Sequence, residues 1–235
     1  MKHAARYVFI VLSFVSLSLF RYTYPVFSYE EDHQSESELN RVISNIKKKE
    51  KTLKTFTATF KQTKKSHLLR EPLQSEGLIY FDMSGKMLMQ VISPSPLTLL
   101  LKNNQQILYY PDLSRVEKKT FGKTDSIFRK YLGIGESVEA LKKKFEIELV
   151  TNTPLKGYLL KMTPKDKTTA KYMVVIEVLV NPKHWLPEQI HFKEQEGDYT
   201  HIQLRFTSVN EPLPPDIFTI ELPENKKTTR QDNEQ

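Results

Sequence analysis

Three histidines, His184, His191 and His201, fall in the last third of the chain. Imidazole is the side chain best suited to ligating a transition metal or moving a proton near neutral pH. His191 and His201 share parity on what read as neighbouring strands, so strand register decides whether they meet; no metal site is expected from them. The chain has no cysteine, which removes thiolate nucleophiles, disulfides and a lipid-modified N-terminal Cys. G-x-S-x-G and H-E-x-x-H are missing, and Gly133-Ile134-Gly135 lacks the third glycine of a phosphate-cradling loop and reads as a turn. Catalysis has little support, no cofactor is expected, and paired carboxylates cannot be placed without a fold.

The chemistry that recurs at regular spacing is apolar. Val174, Ile176, Val178 and Val180 alternate before the turn signal Asn181-Pro182. Ile190 and Phe192 alternate before Gly197-Asp198, and Ile202, Leu204 and Phe206 alternate after it. Near the start, Phe56, Ala58 and Phe60 interleave with Thr55, Thr57, Thr59 and Lys61. A period of two places alternate side chains on one face of a strand. Further strands are expected over 77–83, 87–92, 97–101 and 107–110, divided by Ser84-Gly85, Pro94-Ser95-Pro96 and Asn103-Asn104. Both asparagines of the last pair tolerate positive φ. If 77–83 and 87–92 are regular strands, Met83, Met87 and Met89 lie on one face. Runs such as Leu97-Thr98-Leu99-Leu100-Leu101 are apolar on both sides, so both faces of the first half of the sheet should meet something apolar.

Helices must cover part of this surface. Over 35–54, Leu39, Val42, Ile43, Ile46 and Leu53 recur at three- and four-residue spacing among Lys and Glu, an amphipathic pattern. A helical patch is expected after Thr124 or Asp125, with Ile127, Phe128, Tyr131 and Leu132, and a weaker one over 137–144. Phe145, Ile147 and Leu149 alternate, 158–162 continues the sheet, and 164–171 is a polar turn. The segment 224–235 is charged and without apolar residues, and is expected to be disordered. The pattern is α+β: an antiparallel meander that must bury one face. Whether that face packs a core or holds a ligand is left open by the residues alone.

Residues 1–28 read as a secretory signal. Lys2 and Arg6 precede a 13-residue apolar run, 8–20, and a polar stretch ends at Ser28. The run is shorter than the roughly 20 residues a membrane-spanning helix needs, so cleavage after Ser28 and an exported product are expected. The net charge of +7 falls to +4 once Lys2, Arg6 and Arg21 are removed. The lysines of 47–51 and 142–144 then read as solvated helix faces, and nucleic acid is not expected as a partner. The remaining length suits one domain, 29–223, without disulfide staples.

The order of these elements resembles the LolA family of periplasmic outer-membrane lipoprotein carriers. The amphipathic helix leads into Phe56-Thr57-Ala58-Thr59-Phe60-Lys61-Gln62, which matches the family's F-x-A-x-F-x-Q pattern. Gly77 opens a strand, Ser93-Pro94 ends one, and Leu108-Tyr109-Tyr110-Pro111-Asp112, Leu186-Pro187-Glu188-Gln189-Ile190 and a close containing Phe218 follow in order. The resemblance spans about 39–223. It implies an unclosed antiparallel β half-barrel with helices over its concave apolar face, and no enzymatic activity. It also implies a monomeric carrier that takes acylated lipoproteins from an inner-membrane lipoprotein-releasing transporter and passes them to an outer-membrane lipoprotein acceptor. Phe56, Phe60, Met83, Met87, Met89, Val91, Leu99 and Leu101 become the expected lipid-binding residues. Flexible thioethers suit a groove that must accept varied acyl geometries. A regulator that senses lipid or lipoprotein on the same half-barrel is the alternative. In the family the Gly-opened strand is commonly followed by Arg-Pro, the Arg reaching the helical lid. Met83 and Ser84 occupy those positions here, with Lys86 as the nearby cation.

Overall fold

The computed structural model describes residues 29–120, 138–151, 153–221 and 227–231. The signal segment and the patch around 124–132 lie outside them. The amphipathic pattern forms α1 (Tyr29–Thr52), longer at its start than the apolar spacing marks. The alternating segment after it is β1 (Thr55–Lys65). A meander follows: β2 (Leu73–Asp82), β3 (Lys86–Ser93), β4 (Leu97–Lys102), β5 (Gln105–Tyr110) and β6 (Arg115–Thr120). Then come α2 (Val138–Lys144), β7 (Phe145–Val150), β8 (Tyr158–Pro164), the short α3 (Lys167–Ala170), β9 (Met173–Val180), β10 (Pro187–Glu194), β11 (Tyr199–Val209) and β12 (Lys227–Gln231). Among the described residues no helix is long and apolar enough to cross a membrane.

The strands form one sheet in the order β12-β6-β5-β4-β3-β2-β1-β11-β10-β9-β8-β7. Two meanders are joined where the first strand pairs with the eleventh, antiparallel, setting Phe60 against Leu204. The order is open, with β7 and β12 at its two ends, so the sheet is an unclosed half-barrel. Turn chemistry sets several of the reversals. Asn103 and Asn104 adopt φ 53° and 58° and join β4 to β5, the positive-φ pair that a two-residue hairpin turn requires.

Two strands were not legible. β6 reads Arg-Val-Glu-Lys-Lys-Thr, without apolar alternation, yet it pairs along its length with β5. Residues 227–231, expected to be disordered with the rest of the tail, instead run parallel to β6. The physical reason is that an edge strand offers its unpaired N–H and C=O groups to any extended chain, whatever its side chains. Composition reports only the drive to bury apolar surface.

The core lies on one face of the sheet. Leu53, Phe56, Ala58, Phe60, Ile79, Phe81, Met87, Leu99, Leu101, Leu186, Ile190, Ile202 and Leu204 form a contiguous buried cluster there. α1 covers the same face further along, its Val42 buried with Leu160 and Val180 and its Leu39 and Ile46 beside Ile147, Leu149 and Val178. Asn210 fixes the exit of α1: its Nδ2 donates to Thr52 O (2.8 Å) and its Oδ1 accepts from Lys54 N–H (2.7 Å). One side chain thereby satisfies a terminal helix carbonyl and ties the helix end to the end of β11.

The convex face is also partly buried, as the two-sided apolar runs required. Leu88, Leu100 and Val116 point away from the core cluster and are nevertheless buried. The segment after β11 crosses this side. Glu211 O accepts from Thr55 Oγ1 (2.7 Å), Phe218 O accepts from Lys102 Nζ (3.4 Å), and Lys86 Nζ sits 5.7 Å from the Phe218 ring centroid.

Candidate lipid-binding face

The inner face is built row by row from cross-strand register. Phe56 stands against Phe81, Ala58 against Ile79 and Phe60 against Gly77. Phe81, Ile79 and Gly77 in turn face Met87, Met89 and Val91, and Met87 and Met89 face Leu101 and Leu99. On the other side Ile202 faces Ile190, which faces Val178. The result is an apolar surface that runs from β4 to β8, with Gln106 of β5 buried at its margin against Leu101. Phe56 anchors it, its ring stacked on Phe81 at 4.8 Å between centroids and edge-on to Phe206 at 5.2 Å.

Gly77 explains the position of Phe60. A Cβ on Gly77 would stand 1.8 Å from the carbonyl oxygen of Gln90 and 2.9 Å from Phe60 Cε1. Only a residue without a side chain lets β3 approach here and lets the phenyl ring lie across β2. The ladder between β2 and β3 shifts register at this same point, between Glu76 and Gly77.

The structure brings together seven of the eight expected residues. Phe56, Phe60, Met87, Leu99 and Leu101 are buried in the cluster, and Met89 and Val91 are half-buried against it. Met83 is the exception: β2 ends at Asp82, and Met83 lies in the following turn, 43% exposed, its N–H donating to Lys54 O (2.8 Å). The parity argument fails for it because the strand stops one residue earlier. Lys86 does not replace the missing arginine either, since it is directed to Phe218 on the convex side. Residues from the far meander, Leu186, Ile190, Ile202 and Leu204, complete the cluster. The alternation around Ile190 and through Ile202 and Leu204 was visible, but nothing local shows that β11 pairs with β1.

The inner face changes character at β6. Register places Arg115 against Tyr110 and Glu117 against Leu108. The Arg115 guanidinium lies 4.5 Å from the Tyr110 ring centroid, and its Nη2 is 2.6 Å from Glu117 Oε1. Among the described residues, Arg115 Nε is buried without a hydrogen-bond partner. The apolar surface thus ends in a charged margin.

Two other groups of ionisable side chains pair among themselves. His191 and His201 do meet, as directly opposed residues with ring centroids 5.7 Å apart, but on the convex face. His191 Nδ1 is 3.4 Å from Glu177 Oε2, and Glu177 Oε1 takes Lys193 Nζ at 2.8 Å. Burial, aided by the neighbouring His191, lowers the pKa of His201. Among the described residues no group of three or more such ligands is placed to hold a metal. Where α1 meets α2, Lys47 pairs with Glu139. Burial, with Glu139 adding repulsion and Lys47 opposing, raises the Glu50 carboxyl to about 7.

Solved structures superpose on this chain to differing extents and at low identity. An uncharacterized conserved protein from Thermus thermophilus superposes with a TM-score of 0.52 at 9% identity, covering 83% of this chain and 99% of that one. A putative outer membrane lipoprotein-sorting protein domain from Vibrio parahaemolyticus gives 0.40 at 16% identity over 76% and 94% of the two chains. The Mycobacterium tuberculosis lipoprotein LppX gives 0.45 at 10% identity over 77% and 99%. A search of curated proteins found no match. The sequence itself, over residues 51–221, matches the family described as outer membrane lipoprotein carrier protein LolA. With that match spanning both meanders and the half-barrel they build, the chain belongs to the LolA family of outer membrane lipoprotein carrier proteins.

Proposed function

We propose that this protein is a periplasmic carrier that holds the acyl chains of lipoproteins against the inner face of the half-barrel and moves them from the inner to the outer membrane. The observation that carries this reading is the broad apolar inner face, half-buried at Met89 and Val91, in a chain of this family. Phe56, Phe60, Met87, Met89, Val91, Leu99 and Leu101 are the proposed contacts. Met83 is not among them, because its side chain stands apart from the cluster.

The energetics make such a carrier necessary. Each acyl CH₂ drawn into water costs about 0.8 kcal/mol, so the chains of one lipoprotein cost tens of kcal/mol to expose. Spontaneous crossing of an aqueous gap is negligible at that cost. A face of Phe, Met and Leu replaces the lost apolar contact, and the methionines adapt to chains of different length. No step needs a bond made or broken, so the role is binding and release. An inner-membrane transporter supplies the cargo, an outer-membrane acceptor receives it, and the carrier acts as a monomer.

The experiment is release of a triacylated lipoprotein from inner-membrane vesicles by the purified protein, with native mass spectrometry of the product. A one-to-one complex and stoichiometric release support the carrier. Bound lipid with no release of lipoprotein would overturn it in favour of a lipid-sensing regulator on the same fold.

A further inference from the structure

At the end of the sheet where β1 gives way to β2, the chain reads Lys64-Lys65-Ser66-His67-Leu68-Leu69-Arg70-Glu71-Pro72-Leu73. Leu68 is 82% exposed, and Leu69 and Leu73 stand out beside it. Strand direction shows that they are not isolated. β3 and β5 end, and β9 begins, at this same end of the sheet. Of the large exposed apolar side chains among the described residues, all but Met83 and Leu155 lie here, including Ile92 after β3 and Leu113 between β5 and β6. Leu68, Leu69 and Leu73, together in one connection, form an exposed apolar group of the kind that marks a contact site, and the others lie along the same rim.

The turn that presents the leucines is built. Asp198, from the connection between β10 and β11, accepts from Ser66 Oγ (2.8 Å) and from the His67 N–H (2.7 Å). Its Oδ2 is 3.2 Å from His67 Nδ1, and the Leu69 N–H donates to Ser66 O at 2.9 Å. The leucines are therefore held outward by a hydrogen-bonded turn anchored to a second hairpin.

Charge decides what they meet. Lys64, Lys65 and Arg70 surround the tip together with Glu71; of the acids on the neighbouring hairpin, Asp198 is taken up by the turn's own hydrogen bonds and Glu196 stands 3.4 Å from His67 Nδ1, while the nearby connection from β8 to β9 adds Lys165, Lys167 and Lys171 against Asp166. Leucines set among long cationic side chains are the chemistry of an anionic bilayer surface. The apolar groups enter the acyl boundary while lysine and arginine reach the lipid phosphates. The geometry points to the turn between β1 and β2 as a membrane-docking tip, in which Leu68, Leu69 and Leu73 enter an anionic bilayer and Lys64, Lys65 and Arg70 bind its phosphates. This goes beyond acyl binding by the inner face and does not depend on it.

The test is co-sedimentation of protein expressed from the full chain with vesicles of phosphatidylcholine and phosphatidylglycerol. The double variant Leu68→Glu/Leu69→Glu should lose roughly tenfold or more in partitioning, since two apolar groups become charged at the point of entry. Met83→Glu, at the opposite end, should partition like the unchanged protein, and added salt should weaken binding. Circular dichroism of the double variant should be unaltered, because neither leucine supports the core. Its capture of a fluorescent fatty acid should also be unaltered, which separates the tip from the inner face. Equal partitioning of the double variant, equal binding to purely phosphatidylcholine vesicles, or no vesicle binding by the unchanged protein would each overturn the proposal.

Discussion

Replacing Gly77 with alanine tests the construction of the inner face at its tightest point. The new Cβ would lie 1.8 Å from the Gln90 carbonyl oxygen, where an ordinary contact begins at 3.4 Å. The β3 backbone would therefore have to retreat by about 1.6 Å, the difference between these distances. The Phe60 ring, 2.9 Å from the same Cβ, must tilt as well. Overpacking of this kind costs about 1–3 kcal/mol, and weakening a ladder hydrogen bond beside it adds about 1 kcal/mol. The expected loss is thus about 2–4 kcal/mol, which in a domain of this size lowers Tm by roughly 5–15 °C. Thermal unfolding followed by circular dichroism reads the shift directly. Gly85→Ala serves as the control: its Cβ meets nothing within 4 Å, and only the strain at φ 99° remains, about 1–2 kcal/mol. If Gly77→Ala melts within about 2 °C of the unchanged protein, the close approach of β3 is not what the glycine serves, and the packing argument for Phe60 fails with it.

Three further outcomes are expected. Met89→Glu places a charge on the half-buried part of the inner face and should weaken binding of a fluorescent fatty acid by roughly tenfold or more, whereas Gln90→Glu, directed to the convex side, should change it little; equal losses would return Met89 to a purely structural role. Leu100→Ala, on the convex side yet only 4% exposed, should cost about 2–4 kcal/mol in urea unfolding if the C-terminal segment buries that face, and a loss under about 0.5 kcal/mol would show the face to be solvated. Glu50 titrates at about 7 in the folded protein against an ordinary value of 4.5, so the native state holds the extra proton in that interval and stability should fall as pH rises from 4.5 through 7. Glu50→Gln should flatten that limb of the Tm profile, and an unchanged slope would remove Glu50 as its source.

Much of the scaffold was legible because its signals are local. The three-and-four spacing of Leu39, Val42, Ile43 and Ile46 marks α1, and the alternation of Phe56, Ala58 and Phe60 marks β1, since each periodicity follows from backbone geometry alone. The turn at Asn103-Asn104 was equally visible, because few residue types accept positive φ. β6 and β12 were not visible, because their pairing rests on backbone groups that composition does not report. Met83 was misplaced for a related reason: parity holds only as far as the strand continues, and β2 ends at Asp82.

The sequence by itself determined which segments are apolar, where they reverse, and that one face of a meander had to be covered. Only the tertiary structure decided that β1 pairs with β11, which joins two meanders far apart in sequence and makes Phe60 and Leu204 neighbours. It also decided that Lys86 serves the convex side, that His191 and His201 meet there, and that most of the exposed leucines lie at one rim. These placements depend on long-range register. Register is selected by the summed fit of many strand pairs at once, and no single stretch of chain carries that sum.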